Sequence, residues 1–125
     1  EDCRRQRQMC IRDRPGAIAY ATTKHAAMGL AENLSIMYGD DGIKVSALCP
    51  QLVDTDMVRS FGKLPENHPL LKDGLLSADV VAEEAIQGIN KEKFLILPHK
   101  EVAKYIQGKA FDYDAWIEAV RKLVP

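Results

Sequence analysis

Two short apolar runs, each closed by a proline, constrain this chain more than any other feature: residues 43–49 (IKVSALC) stop at Pro50, and residues 94–97 (FLIL) stop at Pro98. Such runs are too short for helices, and their apolar continuity fits strands covered on both faces. A helical pattern precedes each. From Ala17 to Met37 the apolar positions Ala27, Leu30, Leu34 and Met37 recur at steps of 3, 4 and 3, drawing one stripe on a long amphipathic helix. Pro15-Gly16 turns into it, and Tyr38-Gly39 followed by Asp40-Asp41-Gly42 ends it with the glycine a left-handed cap prefers. Ser77 is placed to cap a second helix, with Asp79 in its first turn facing the dipole, ahead of Val81, Ala82, Ala85, Ile86 and Ile89. Helix before buried strand, twice over, predicts a parallel α/β sheet.

Residues 51–76 mix polar side chains with Gly62, Pro65, Pro69 and Gly74 without a sustained period, so they read as a long excursion beyond the carboxyl end of the first strand. Met57, Val58, Phe61 and Leu64 lie in it, either as an apolar lid over a ligand or as cover for the loop's own core. After the second strand come residues 101–108 and a last helix capped by Asp112 or Asp114. Trp116, Val120 and Leu123 share one of its faces, and Arg121-Lys122 occupy its last turn.

A chain of 125 residues and 13.9 kDa is one modest domain, able to bury about two-thirds of its unfolded surface. An open parallel sheet typically holds about five or six strands, and only two are visible. The expectation is the carboxyl-terminal portion of a doubly wound α/β domain, over residues 15–125. Residues 1–14 (EDCRRQRQMCIRDR) stand apart: they hold five of the seven arginines and show neither helical nor strand period. A basic binding arm is one reading. The preferred one is a non-native leader, because MCIRDR resembles adapter-derived translation, and the segment is set aside from fold reasoning.

Seventeen Lys plus Arg against eighteen Asp plus Glu give a net charge of −1, so no global positive field draws in nucleic acid or an acidic membrane. No apolar stretch is long enough to span a bilayer, and the amino terminus has no signal-peptide core; the cytosol is expected. Cys3, Cys10 and Cys49 cannot all pair, and no CxxC or Cys/His cluster with zinc spacing occurs. Neither a disulfide scaffold nor a metal site is expected. His25, His68 and His99 are scattered and read as surface or packing histidines, and Cys49 as a small core residue.

The chemistry falls on the first helix. Tyr20 and Lys24 are four apart and share one face. A phenol titrates near pH 10 unaided, and an ammonium within about 4–6 Å favours its ionised form. Such a tyrosine can trade protons with an alcohol or carbonyl. On spacing alone the pair is weak evidence, and the plain reading is a solvated helix face.

The surrounding residues add weight. Pro15-Gly16, Tyr20-Ala21-Thr22-Thr23-Lys24, the small residues Ala26, Ala27 and Gly29, and the run from Gly42 through Lys44-Val45-Ser46 to Cys49-Pro50-Gln51-Leu52-Val53-Asp54-Thr55 together resemble the short-chain dehydrogenase/reductase family. In that family YxxxK lies on the helix before a strand that ends in P-G-x-V-x-T. The resemblance implies a Rossmann-type fold and an NAD(P)-dependent oxidoreductase interconverting a secondary alcohol and a ketone, with NAD or NADP as cofactor. It implies that Tyr20 is the general acid/base and that Lys24 holds the nicotinamide ribose and eases the phenol's ionisation. Pro50, Val53 and Thr55 would line the nicotinamide. It also implies a homo-oligomer, through the Ala/Gly-rich face of the first helix.

Three positions depart from the pattern. Gln51 stands where the family has glycine, placing side-chain bulk or a φ constraint beside the cofactor. Ser46 replaces a common asparagine. The substrate-orienting serine would fall thirteen positions before the tyrosine, at Arg7, inside the leader. The glycine-rich pyrophosphate turn is not in this chain, so the chain alone is expected to be inactive. Two other readings stand beside the main one: an NAD-using epimerase or dehydratase with the same Tyr and Lys, and a non-catalytic dinucleotide-binding or structural relative.

Overall fold

In the computed structural model, residues 18–60, 71 and 74–122 are described. The order is α1 (Ile18–Tyr38), β1 (Ala47–Leu48), β2 (Val53–Asp54), α2 (Asp56–Arg59), β3 (Leu76–Ser77), α3 (Ala78–Asn90), β4 (Leu95–Ile96), α4 (Glu101–Phe111) and α5 (Tyr113–Arg121). Residues 1–14, Pro15-Gly16, Gly62, Pro65, Pro69, Phe61, Leu64, His68 and Leu123 lie outside the described residues.

The two expected strands find each other. β1 and β4 pair in parallel, Ala47 opposite Leu95 and Leu48 opposite Ile96. The ladder extends by one bond on each side: Ala47 N–H donates to Phe94 O at 2.6 Å and Cys49 N–H to Ile96 O at 2.9 Å. Regular pairing covers only the second half of residues 43–49, and Ile43 is exposed. Lys44 meets Glu92 at 3.6 Å instead. Ser46, in the place of the family's asparagine, donates its hydroxyl to Lys93 O at 2.7 Å.

The excursion is more ordered at its ends than its composition indicates. Val53 and Asp54 form β2, which pairs in parallel with Leu76 and Ser77 of β3, and Leu76 N–H donates to Leu52 O at 3.3 Å. Two-residue strands are too short to leave a period in the sequence. The start and finish of the excursion therefore lie side by side. Ser77 ends β3 and caps α3 at once, its hydroxyl accepting from Val80 N–H, and Gly74 supplies the left-handed turn just before it at φ 88°.

α3 covers β2, β3 and β4. Its inward residues are Val81, Ala85 and Gly88, spaced 4 and 3 apart; the adjacent stripe of Ala82, Ile86 and Ile89 faces outward, contrary to the pattern that grouped them as one set. Gly88 sets the approach, since a Cβ there would stand 2.5 Å from Ile96 Cγ1 and Cδ1. Residues 101–108 belong to α4, which the sequence left unassigned. Asp112 then ends α4 and caps α5, accepting from Ala115 N–H at 2.9 Å. The core, Ala47, Cys49, Leu52, Val53, Val81, Ile96 and Val102, sits between the strands, α3 and the start of α4. The result is α/β, mostly helical with small parallel sheets, consistent with part of a doubly wound domain.

One expectation fails. Leu30 and Met37 of the α1 stripe are 62% and 64% exposed, with Ala27 and Leu34 also exposed. A stripe is buried only when a second element covers it, and no described element packs closely on α1.

Candidate active site

Tyr20 and Lys24 meet as their spacing requires. α1 is continuous through both, and the Lys24 ammonium lies 5.5 Å from the centroid of the Tyr20 ring. Thr23 steadies the same turn by donating its hydroxyl to Tyr20 O at 3.0 Å. Tyr20 is half-buried, whereas Lys24 is the one buried residue of α1, at 8% exposure. Burial pulls the Lys24 ammonium below its ordinary lysine value, because desolvation penalises the charged form. Among the described residues no carboxylate pairs with it. A cation this close to a phenol ring favours the phenol's ionised form.

The second group lies where β1 and β2 meet. Pro50, Gln51, Leu52 and Val53 are all buried, and Thr55 is half-buried. Thr55 stands at the cap position of α2 in extended conformation, and its hydroxyl does not cap the helix. Asp54 and Asp56 share the Arg59 guanidinium, which fastens α2 to the end of β2. These residues follow the carboxyl end of β1, the edge of an open α/β sheet where ligands bind. The expected site residues thus fall in two places, the Tyr20/Lys24 pair on α1 and the 50–55 stretch at the strand ends. Among the described helices and strands, neither β1 nor β2 packs closely on α1.

Gln51 carries no φ constraint. Among the described residues Glu92 is the non-glycine residue with positive φ, so Gln51 holds an ordinary backbone conformation where the family has glycine. Sequence reasoning missed its partner: Gln51 N–H donates to His99 Nδ1 at 3.1 Å. The available signal was that each histidine or glutamine follows a proline at a strand exit, Pro50-Gln51 and Pro98-His99. His25 is exposed, with Nδ1 2.9 Å from Ala21 O. Cys49 is buried and its thiol is pushed up to about 11 by desolvation, which keeps it protonated and inert at neutral pH. Among the described residues no group of His, Cys, Asp and Glu could hold a metal, and no helix is long and apolar enough to cross a membrane.

Known proteins resemble this chain in sequence. A family profile described as short chain dehydrogenase matches residues 8–65. Oxidoreductase UcpA of Escherichia coli (strain K12) is 45% identical over 49 residues, covering 39% of this chain and 19% of the relative. Short-chain dehydrogenase srdC of Neurospora crassa is 31% identical over 77 residues, 60% of this chain and 28% of the relative. Short-chain dehydrogenase fogB of Aspergillus ruber is 30% identical over 89 residues, 71% of this chain and 25% of the relative. The chain thus spans between a fifth and a third of the length of these relatives. No solved structure matches it significantly. With YxxxK on a helix, a buried strand ending at Pro50 and a profile match over residues 8–65, this chain is similar to the short-chain dehydrogenases.

Proposed function

We propose that this chain supplies the acid/base and nicotinamide-side half of an NAD(P)-dependent oxidoreductase that interconverts a secondary alcohol and a ketone in the cytosol. The observation that carries the reading is Lys24, only 8% exposed, with its ammonium one helical turn from Tyr20 and 5.5 Å from its ring centroid. A nicotinamide dinucleotide fits these residues: among the described residues the ammonium has no carboxylate partner and is suited to ribose hydroxyls, and Gln51 has no positive φ. When bound, that cofactor exchanges hydride with the substrate carbon.

The protein's own part is protonic and geometric. In the oxidative direction the ionised Tyr20 oxygen would accept the proton of the alcohol's hydroxyl group, and in the reductive direction it would return it. Lys24 favours the ionised phenol and holds the ribose, while Pro50, Val53 and Thr55 face the nicotinamide. The exposed face of α1, with Ala26, Ala27, Leu30 and Met37 open, supports pairing with a second copy as a homo-oligomer. The substrate is a small-molecule alcohol or carbonyl compound; neither nucleic acid nor membrane is a partner.

The test is direct. The protein carrying this chain with its whole dinucleotide-binding domain is given NAD+ or NADP+ and a panel of secondary alcohols, and formation of the reduced nicotinamide is followed. Reduction with at least one cofactor is expected. Binding of dinucleotide without reduction of any would favour the non-catalytic relative instead.

A further inference from the structure

His99 holds the strand-end stretch from outside its own strand. Because β1 and β4 are parallel with Ala47 opposite Leu95 and Leu48 opposite Ile96, their exits lie at one edge. Gln51 follows one exit and His99 the other. The hydrogen bond from Gln51 N–H to His99 Nδ1, 3.1 Å, joins them, and both residues are buried, at 7% and 3% exposure.

The bond fills a gap in the backbone pairing. The β1 ladder ends with Cys49 N–H on Ile96 O, and the next sheet begins with Leu52 O accepting from Leu76 N–H. Gln51 lies between them, where neither partner strand supplies an acceptor. His99 provides it, and is itself held at the start of α4 by Val102 N–H donating to His99 O at 3.2 Å, with Val102 only 1% exposed.

Packing alone does not explain an imidazole at this position. A nitrogen that accepts carries no hydrogen, so the proton of the neutral ring sits on Nε2. That atom is buried and has no hydrogen-bond partner among the described residues, an arrangement that costs stability. A leucine would fill the space without the orphaned donor. What the imidazole alone contributes is the Nδ1 acceptor.

We propose that His99 is a positioning residue, whose Nδ1 fixes the backbone of residues 50–55 in the shape that the nicotinamide side of the site requires. This rests on the oxidoreductase reading above. His99 acts through Gln51 and touches no reacting atom. Its bond is made before and during reaction alike, so its loss raises the cofactor KM and leaves kcat nearly unmoved. A residue that served stability alone would show no such split.

The experiment compares the wild-type protein, with its whole dinucleotide-binding domain, against His99→Asn, whose Oδ1 can replace Nδ1 as acceptor, and His99→Leu, which cannot. Hydrogen exchange at the Gln51 amide, titration with NAD+ and NADP+, and kcat with cofactor KM are measured on each. Gln51 should exchange slowly in the wild type and the asparagine variant and quickly in the leucine variant. The cofactor KM should rise roughly tenfold in the leucine variant and stay within about twofold in the asparagine variant, with kcat changed by less than about threefold. A folded leucine variant that binds cofactor as the wild type does would overturn the proposal. If the leucine variant does not fold, the asparagine variant decides: Gln51 exchange and cofactor KM that stay or change together support the role, and a change in one without the other refutes it. A wild type that binds neither dinucleotide removes the oxidoreductase reading and the role with it. Normal wild-type binding beside an equally good leucine variant removes His99 alone.

Discussion

Lys24 carries the sharpest tension at the level of single residues. Its side chain is largely buried, has no carboxylate partner among the described residues, and titrates below the ordinary lysine value because of desolvation. With the folded value lower than the unfolded one, the unfolded chain binds more protons between the two, so stability rises as pH climbs through that window toward 10.5. Lys24→Met removes the buried charge. It should raise the melting temperature at neutral pH, abolish the alkaline gain in stability and weaken dinucleotide binding, all readable by thermal melts across pH and by titration. A lower melting temperature would mean that Lys24 is paired in solution and that its burial serves the fold. Cys49 makes a simpler case: pushed up to about 11, it should resist alkylation in the native chain at pH 7 and react only on unfolding, as peptide mass spectrometry can show. The Tyr20/Lys24 pair was legible because helical spacing alone brings i and i+4 together. His99 was not, since its partner is 48 residues away and only the parallel pairing of β1 with β4 makes them neighbours.

Among the elements, close approach of α3 to β4 depends on Gly88. Replacing it with alanine gains helix propensity worth about 1 kcal/mol, but the new methyl meets Ile96 at 2.5 Å, and overpacking of this kind costs about 1–3 kcal/mol. Ile96 is itself only 4% exposed and has little room to turn away. Gly88→Ala is therefore expected to destabilise the chain by about 1 kcal/mol in chemical denaturation, whereas an unchanged or raised midpoint would show that α3 rides further from the sheet. Periodicity found α1, α3 and α5 because each repeats its apolar spacing over several turns. It missed β2 and β3, whose two residues each leave no pattern, and it assigned the α1 stripe to a core. A stripe states which face wants cover and not whether a partner element supplies it.

For the molecule as a whole, the parallel pairing of β1 with β4 matters most, because it gathers Gln51 and His99 at the carboxyl edge where a doubly wound sheet binds its ligand. Two buried runs and the helix before each were enough to foresee that pairing. The chain spans only about a fifth to just over a quarter of the length of the curated relatives it matches. The decisive measurement is turnover against cofactor affinity in the protein with its whole dinucleotide-binding domain, wild type beside Tyr20→Phe. Loss of the phenolic oxygen should lower kcat by at least about a hundredfold, the usual range for general acid–base catalysis, with NAD+ or NADP+ affinity within about twofold of wild type. A phenylalanine variant that turns over substrate at the wild-type rate would contradict the assignment of Tyr20 as the proton-transferring group.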